Sequence, residues 1–88
     1  MNESRKRIVN VTILNALDAS GDYALPEDTL CTQVVLTMNS KIMPSEILEH
    51  LRKLEVQRLI ASTPGDEFEP TKYQITASGR LKLRGLNL

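Results

Sequence analysis

The sequence is poor in the residues that build reactive centres. One cysteine, Cys31, and one histidine, His50, stand among 88 residues. A single cysteine cannot close a disulfide within the chain, and the two together are too few for a metal site built on several Cys or His ligands. The expectation is a metal-free, cofactor-free, cytoplasmic protein. Tryptophan is absent and the aromatics are limited to Tyr23, Phe68 and Tyr73. That removes the stacking platforms on which single-strand nucleic-acid readers rest their bases. An excess of either charge is missing too. Eleven Lys and Arg balance eleven Asp and Glu, so no global field draws the chain onto nucleic acid or anionic membrane, and any electrostatic partner must be read locally.

Long apolar runs are also lacking. The basic start, Arg5-Lys6-Arg7, is not followed by an extended hydrophobic stretch, and no run reaches the roughly 18 apolar residues of a membrane span. Neither secretion nor membrane insertion is expected. No Gly-rich phosphate loop, nucleophile elbow or second histidine is present, and the chain reads as a non-enzyme.

What remains is ordinary globular material. With 41% hydrophobic and 25% charged residues, the chain reads as one soluble domain over residues 1–88, too short for two cores. From Glu3 to Ala19 neither Gly nor Pro interrupts a helical apolar pattern, with Asn2 or Ser4 as candidate N-cap. At about 100° per residue, Val9, Ile13, Ala16 and Leu17 share one face with Leu14 at its edge, while Ile8 and Val11 project from the other. Ser20-Gly21-Asp22 stops this helix. Tyr23-Ala24-Leu25 reads as extended because Leu25 precedes Pro26, and Pro26-Glu27-Asp28 opens a second helix to about Thr37.

Pro44-Ser45-Glu46 opens a third helix to about Gln57, with Ile47, Leu48, Leu51 and Leu54 as its buried stripe. Leu59–Ser62 and Lys72–Thr76 read as the two strands of a hairpin around Pro64-Gly65-Asp66. Thr76 can cap a last short helix to about Arg84, although the alternation of Leu81 and Leu83 also suits a strand. The predicted core joins Val9, Ile13, Leu17, Leu30, Val34, Leu48, Leu51, Leu54, Ile60 and Ile75.

The charge is unevenly placed. Residues 61–70 and 21–40 each carry minus three, residues 71–88 carry plus four, and residues 1–20 and 41–60 carry plus one each.

The order helix, short strand, helix, helix, hairpin, helix is that of a winged helix-turn-helix. Pro44 to Ile60 resembles the third helix and following strand of small PadR- and MarR-type regulators. Lys72-Tyr73-Gln74-Ile75-Thr76-Ala77-Ser78-Gly79-Arg80 is similar to their second wing strand and exit. The resemblance covers nearly the whole chain and implies an α+β fold with a three-helix core, a short strand, a two-stranded wing and a short C-terminal helix. Such families commonly have Gly where this chain has Arg58, so Arg58 either adopts a left-handed conformation or the helix ends another way. The outward stripe of the third helix is read as Ser45, Glu46, Glu49, His50 and Lys53, and two of these are acids.

The resemblance implies double-stranded DNA as partner and transcription regulation as function. Ser45, His50, Arg52 and Lys53 would lie in the groove, with Arg5, Lys6 and Arg7 touching the backbone. Without DNA, His50 reads as a solvated surface histidine and Arg5-Lys6-Arg7 as a solvated helix start. Cys31 lies in the apolar stripe of the second helix and reads as an inert core thiol. Glu27 and Asp28 read as residues that complement a helix dipole. The charge map favours a different function, a winged-helix protein-interaction module whose acidic wing and surplus apolar surface on the first helix engage another polypeptide. Ile8 and Val11 suggest a homodimer through the first helix together with the C-terminal segment. The competing expectation is that Leu81, Leu83, Leu86 and Leu88 cover the first helix within one chain.

Overall fold

The computed structural model describes residues 3–86. Four helices and three strands follow in the order α1 (Glu3–Ala19), β1 (Leu25–Pro26), α2 (Glu27–Thr37), α3 (Pro44–Val56), β2 (Ile60–Thr63), β3 (Lys72–Ile75) and α4 (Ala77–Leu86). The architecture is α+β. Its antiparallel sheet runs β1-β3-β2, with Leu25 opposite Tyr73 and Ile60 opposite Ile75. Among the described residues no helix is long and apolar enough to cross a membrane.

Helices α1, α2 and α3 end for local reasons. Past α1, the Ser20 N–H donates to the Leu17 carbonyl (3.2 Å) and the Gly21 N–H to that of Asp18 (3.0 Å), with Gly21 at φ +63°. Helix α2 closes through two consecutive left-handed residues, Asn39 (φ 54°) and Ser40 (φ 61°), and the Ser40 N–H reaches back to the Val35 carbonyl at 2.8 Å. At the start of α3 the Glu46 carboxylate accepts from the Met43 N–H at 3.4 Å, three residues back, as in a capping box. Its end resolves the Arg58 alternative: Arg58 adopts φ 61°. The Leu59 N–H then closes on the Leu54 carbonyl at 3.0 Å, an exit that a glycine would make without the cost of about 1–2 kcal/mol for a side chain in this region.

The corner between sheet and α4 hangs on Thr76. Its Oγ1 lies 2.9 Å from the Leu59 carbonyl oxygen and accepts from the Gly79 N–H at 3.0 Å, so the predicted cap is present. Gly79 packs against the same corner, where a Cβ would run into the Leu59 carbonyl oxygen. Residues 77–86 are helical, which decides against a strand there.

The core lies between the helices and one face of the sheet. Of the ten predicted core residues, Val9, Ile13, Leu17, Leu30, Val34, Leu51, Leu54, Ile60 and Ile75 are buried, whereas Leu48 is only half-buried at the margin. Leu14, predicted at an edge, is fully buried because neighbours pack on α1 from more than one side. Tyr73 also enters the core, with its hydroxyl donating to Glu27 Oε1 at 3.0 Å and tying β3 to the first turn of α2. The C-terminal leucines divide: Leu83 is buried, while Leu81 is 67% exposed. The side chain of Leu86 and all of Leu88, together with the alternative cap Asn2, lie outside the described residues.

Candidate functional site

The exposed face of α3 begins at Ser45 and continues through Glu49, Arg52, Lys53 and Val56. Two residues predicted for this face are elsewhere engaged. Glu46 is held by Arg5, whose Nη2 lies 3.2 Å from Oε2 and 3.3 Å from Oε1. The same guanidinium nitrogen donates to the Lys41 carbonyl at 2.7 Å, so Arg5 ties α1 to both the α2–α3 turn and α3.

His50 departs furthest from the sequence reading. The sequence puts it on the outward stripe, as groove contact or solvated side chain; the structure leaves it 5% exposed. The reason is helical spacing: His50 stands three residues after Ile47 and four before Leu54, on the side that packs against α1. Its Nδ1 lies 2.7 Å from Asn10 Oδ1. An amide oxygen only accepts, so Nδ1 carries the hydrogen and donates. Burial, followed by the charge of Lys53, pushes the His50 pKa below its ordinary 6.5.

Above this pair, α1, α3 and α4 enclose a cleft of about 330 Å³. Among the described residues that line it, Lys6 and Arg7 come from α1, Lys53 from α3 and Lys82 from α4, with one carboxylate, Glu3, beside them; the buried Leu54 lies at its floor. Glu3 lies 3.7 Å from Lys6. The sequence thus named Lys6, Arg7 and Lys53 without showing that they converge. It missed Lys82 and Asn10. Lys82 was visible only as part of a basic C-terminal segment. Asn10 carried a signal, a polar residue one position from Val9 and three from Ile13 on a helix that packs inward.

The remaining candidates separate by exposure. Ile8 is 55% exposed. Val11, placed by the sequence on the same free face, is half-buried and packs against the core, because α1 has packed neighbours on more than one side. Cys31 is half-buried, and burial together with the charges of Glu27 and Asp28 pushes its thiol pKa up, away from the nucleophilic thiolate. Arg80 joins α4 to the end of α1 through Asp18 at 3.3 Å and the Gly21 carbonyl at 3.0 Å. At the tip of the β2–β3 loop, Asp66 Oδ1 accepts from the N–H groups of Phe68 (2.8 Å) and Glu69 (2.9 Å). This turn presents Phe68 90% exposed among acids. Among the described residues no group of three or more His, Cys, Asp or Glu side chains could hold a metal ion.

Comparison of the chain with protein-family models, with curated proteins and with solved structures finds no match.

Proposed function

We propose that this chain is a winged helix-turn-helix protein that binds double-stranded DNA through α3 and acts in transcription as a homodimer. The fold reading draws on the element order α1-β1-α2-α3-β2-β3 and on the sheet order β1-β3-β2, with β2 and β3 as the wing. One observation carries the functional reading: the exposed surface of α3 bears Arg52 and Lys53 and continues into the cations of Lys6, Arg7 and Lys82. Such a continuous basic strip follows a phosphate backbone while side chains of the helix reach base edges. Engagement of Glu46 by Arg5 leaves Glu49 as the acid opposing that role near the helix start.

The contact set is therefore Ser45, Arg52, Lys53, Lys6 and Arg7. His50 drops out because it is buried, and Arg5 acts through its hold on Glu46. Val56, 82% exposed beside Arg52 and Lys53, adds an apolar contact of the kind that meets a thymine methyl. Dimerisation is assigned to Ile8 of α1 and Leu81 of α4, exposed apolar residues on two helices that pack against each other. The wing contributes little to DNA, since its tip carries Asp66, Glu67 and Glu69 without a base.

The second reading is a protein-interaction module, favoured by the exposed Phe68 within that acidic turn. Titration of a mixed-sequence duplex at low and raised salt separates the two. DNA binding through phosphates weakens steeply with salt, whereas an interaction module gives no duplex binding at either concentration.

A further inference from the structure

The α1–α3–α4 cleft has features that a strip for DNA phosphates does not need. It is a recess of about 330 Å³, within the range of small-molecule sites. Its wall is rich in donors: three ammonium groups (Lys6, Lys53, Lys82), the Arg7 guanidinium and the side-chain amides of Asn10 and Gln57. Among the described residues that line it, one carboxylate, Glu3, faces the three lysines, 3.7 Å from Lys6. Among the described residues neither Lys53 nor Lys82 is in an ion pair.

A cavity with many donors and an excess of positive charge selects a compact ligand with several oxygens and more than one negative charge. A phosphate monoester has three terminal oxygens and approaches two charges at neutral pH. The recess is larger than one phosphate group needs, and the aliphatic stems of the lysines offer an apolar wall for an organic body. A buried histidine in the same wall adds a second consequence. With Nδ1 donating to Asn10, Nε2 is the nitrogen that gains a proton when His50 becomes charged. The groups around His50 are Glu46, Glu49 and Lys53 on its own helix and Lys6 on α1, with Glu3, Arg7 and Lys82 completing the cleft. A dianion placed among these cations favours the charged imidazole.

We propose that this cleft binds the phosphate monoester of a small organic molecule, held by Lys53, Lys82 and Lys6 with its body against the aliphatic stems of these lysines. The proposal does not rest on DNA binding, and it is tested without DNA. Nuclear magnetic resonance titration of the intact protein uses adenosine 5′-monophosphate, adenosine, inorganic phosphate and a phosphodiester dinucleotide as separate probes. The expected result is that the monophosphate shifts the signals of Asn10, His50, Leu54 and Lys82 with a dissociation constant of about 1 mM or tighter. Adenosine alone gives no such shifts, and inorganic phosphate and the diester bind more weakly. Exposed Lys82→Gln keeps the fold and weakens the monophosphate about tenfold, the loss of one charge-assisted contact. Saturation with the monophosphate raises the pH midpoint of the His50 ring signals, a change that a purely structural histidine would not show. Absence of binding at about 10 mM, equal binding to wild type and Lys82→Gln, or equal shifts with adenosine would overturn the site. Inorganic phosphate or the diester binding as tightly as the monophosphate would overturn its assignment to an organic monoester.

Discussion

Arg5 and Glu46, 41 residues apart in sequence, meet at 3.2 Å across the α1–α3 contact, and Glu46 also receives the Met43 N–H at the start of α3. The two acids near the start of α3 therefore have different roles. Glu49→Gln removes a charge from the exposed face and is expected to strengthen duplex binding. Glu46→Gln weakens the hold of Arg5 and the cap, and is expected to destabilise the fold by about 0.5–1 kcal/mol with no gain in DNA affinity. Denaturant melts and band-shift titrations of the two variants check this contrast. Equal gains in affinity from both would contradict it.

Leu51 is buried where α3 meets the core. Leu51→Ala is expected to cost about 2–5 kcal/mol, measured from the midpoint of urea unfolding, as truncation of a buried leucine does. A loss below about 0.5 kcal/mol would mean that α3 turns another face inward.

His50 and Asn10 link stability to pH. Because the folded pKa of His50 lies below its ordinary 6.5, the unfolded chain binds more protons between the two values, and stability rises with pH across that window. The contribution is fully present above pH 6.5 and is lost as pH falls through the folded pKa. Replacing the histidine with Gln should flatten this dependence. Asn10→Ala leaves the ring donor without its partner and is expected to cost about 1–3 kcal/mol. Thermal melts from acid to neutral pH test both expectations, and an unchanged pH profile in the His50→Gln variant would remove His50 as the cause.

The fold was largely legible because its signals are local. Pro26 and Pro44 mark helix starts, Gly21 marks a stop, and the interval of three or four between Ile47, Leu51 and Leu54 marks a buried stripe. The site was legible only in part. Lys6, Arg7 and Lys53 could be named as cations, but their meeting with Lys82 depends on how α4 folds back onto α1, a contact between opposite ends of the chain. His50 is buried because its spacing from Ile47 and Leu54 outweighs its polarity. A histidine can satisfy burial through one distant partner, and Asn10, 40 residues away, leaves no local trace of that pairing. Val11 is covered for a related reason: a helical wheel supposes one buried face, whereas α1 packs against α2, α3, α4 and β3.

The proposed dimer is assigned to Ile8 and Leu81. Ile8→Glu is expected to convert a dimer into a folded monomer in sedimentation equilibrium, with helical circular dichroism retained. Val11→Glu is expected to damage the fold instead, since Val11 packs on the core. Wild-type protein that is monomeric at high micromolar concentration would contradict the dimer and leave the α4 cover of α1 as sufficient.

DNA binding through α3 is the central claim, and the salt dependence of duplex affinity tests it most directly. Between about 50 and 200 mM salt the wild-type protein is expected to lose affinity along a straight log–log line, and Lys53→Gln is expected to lower the slope by about one unit. No detectable binding to any duplex at the lower salt concentration would contradict the claim and support the interaction module with its acidic, Phe68-tipped loop.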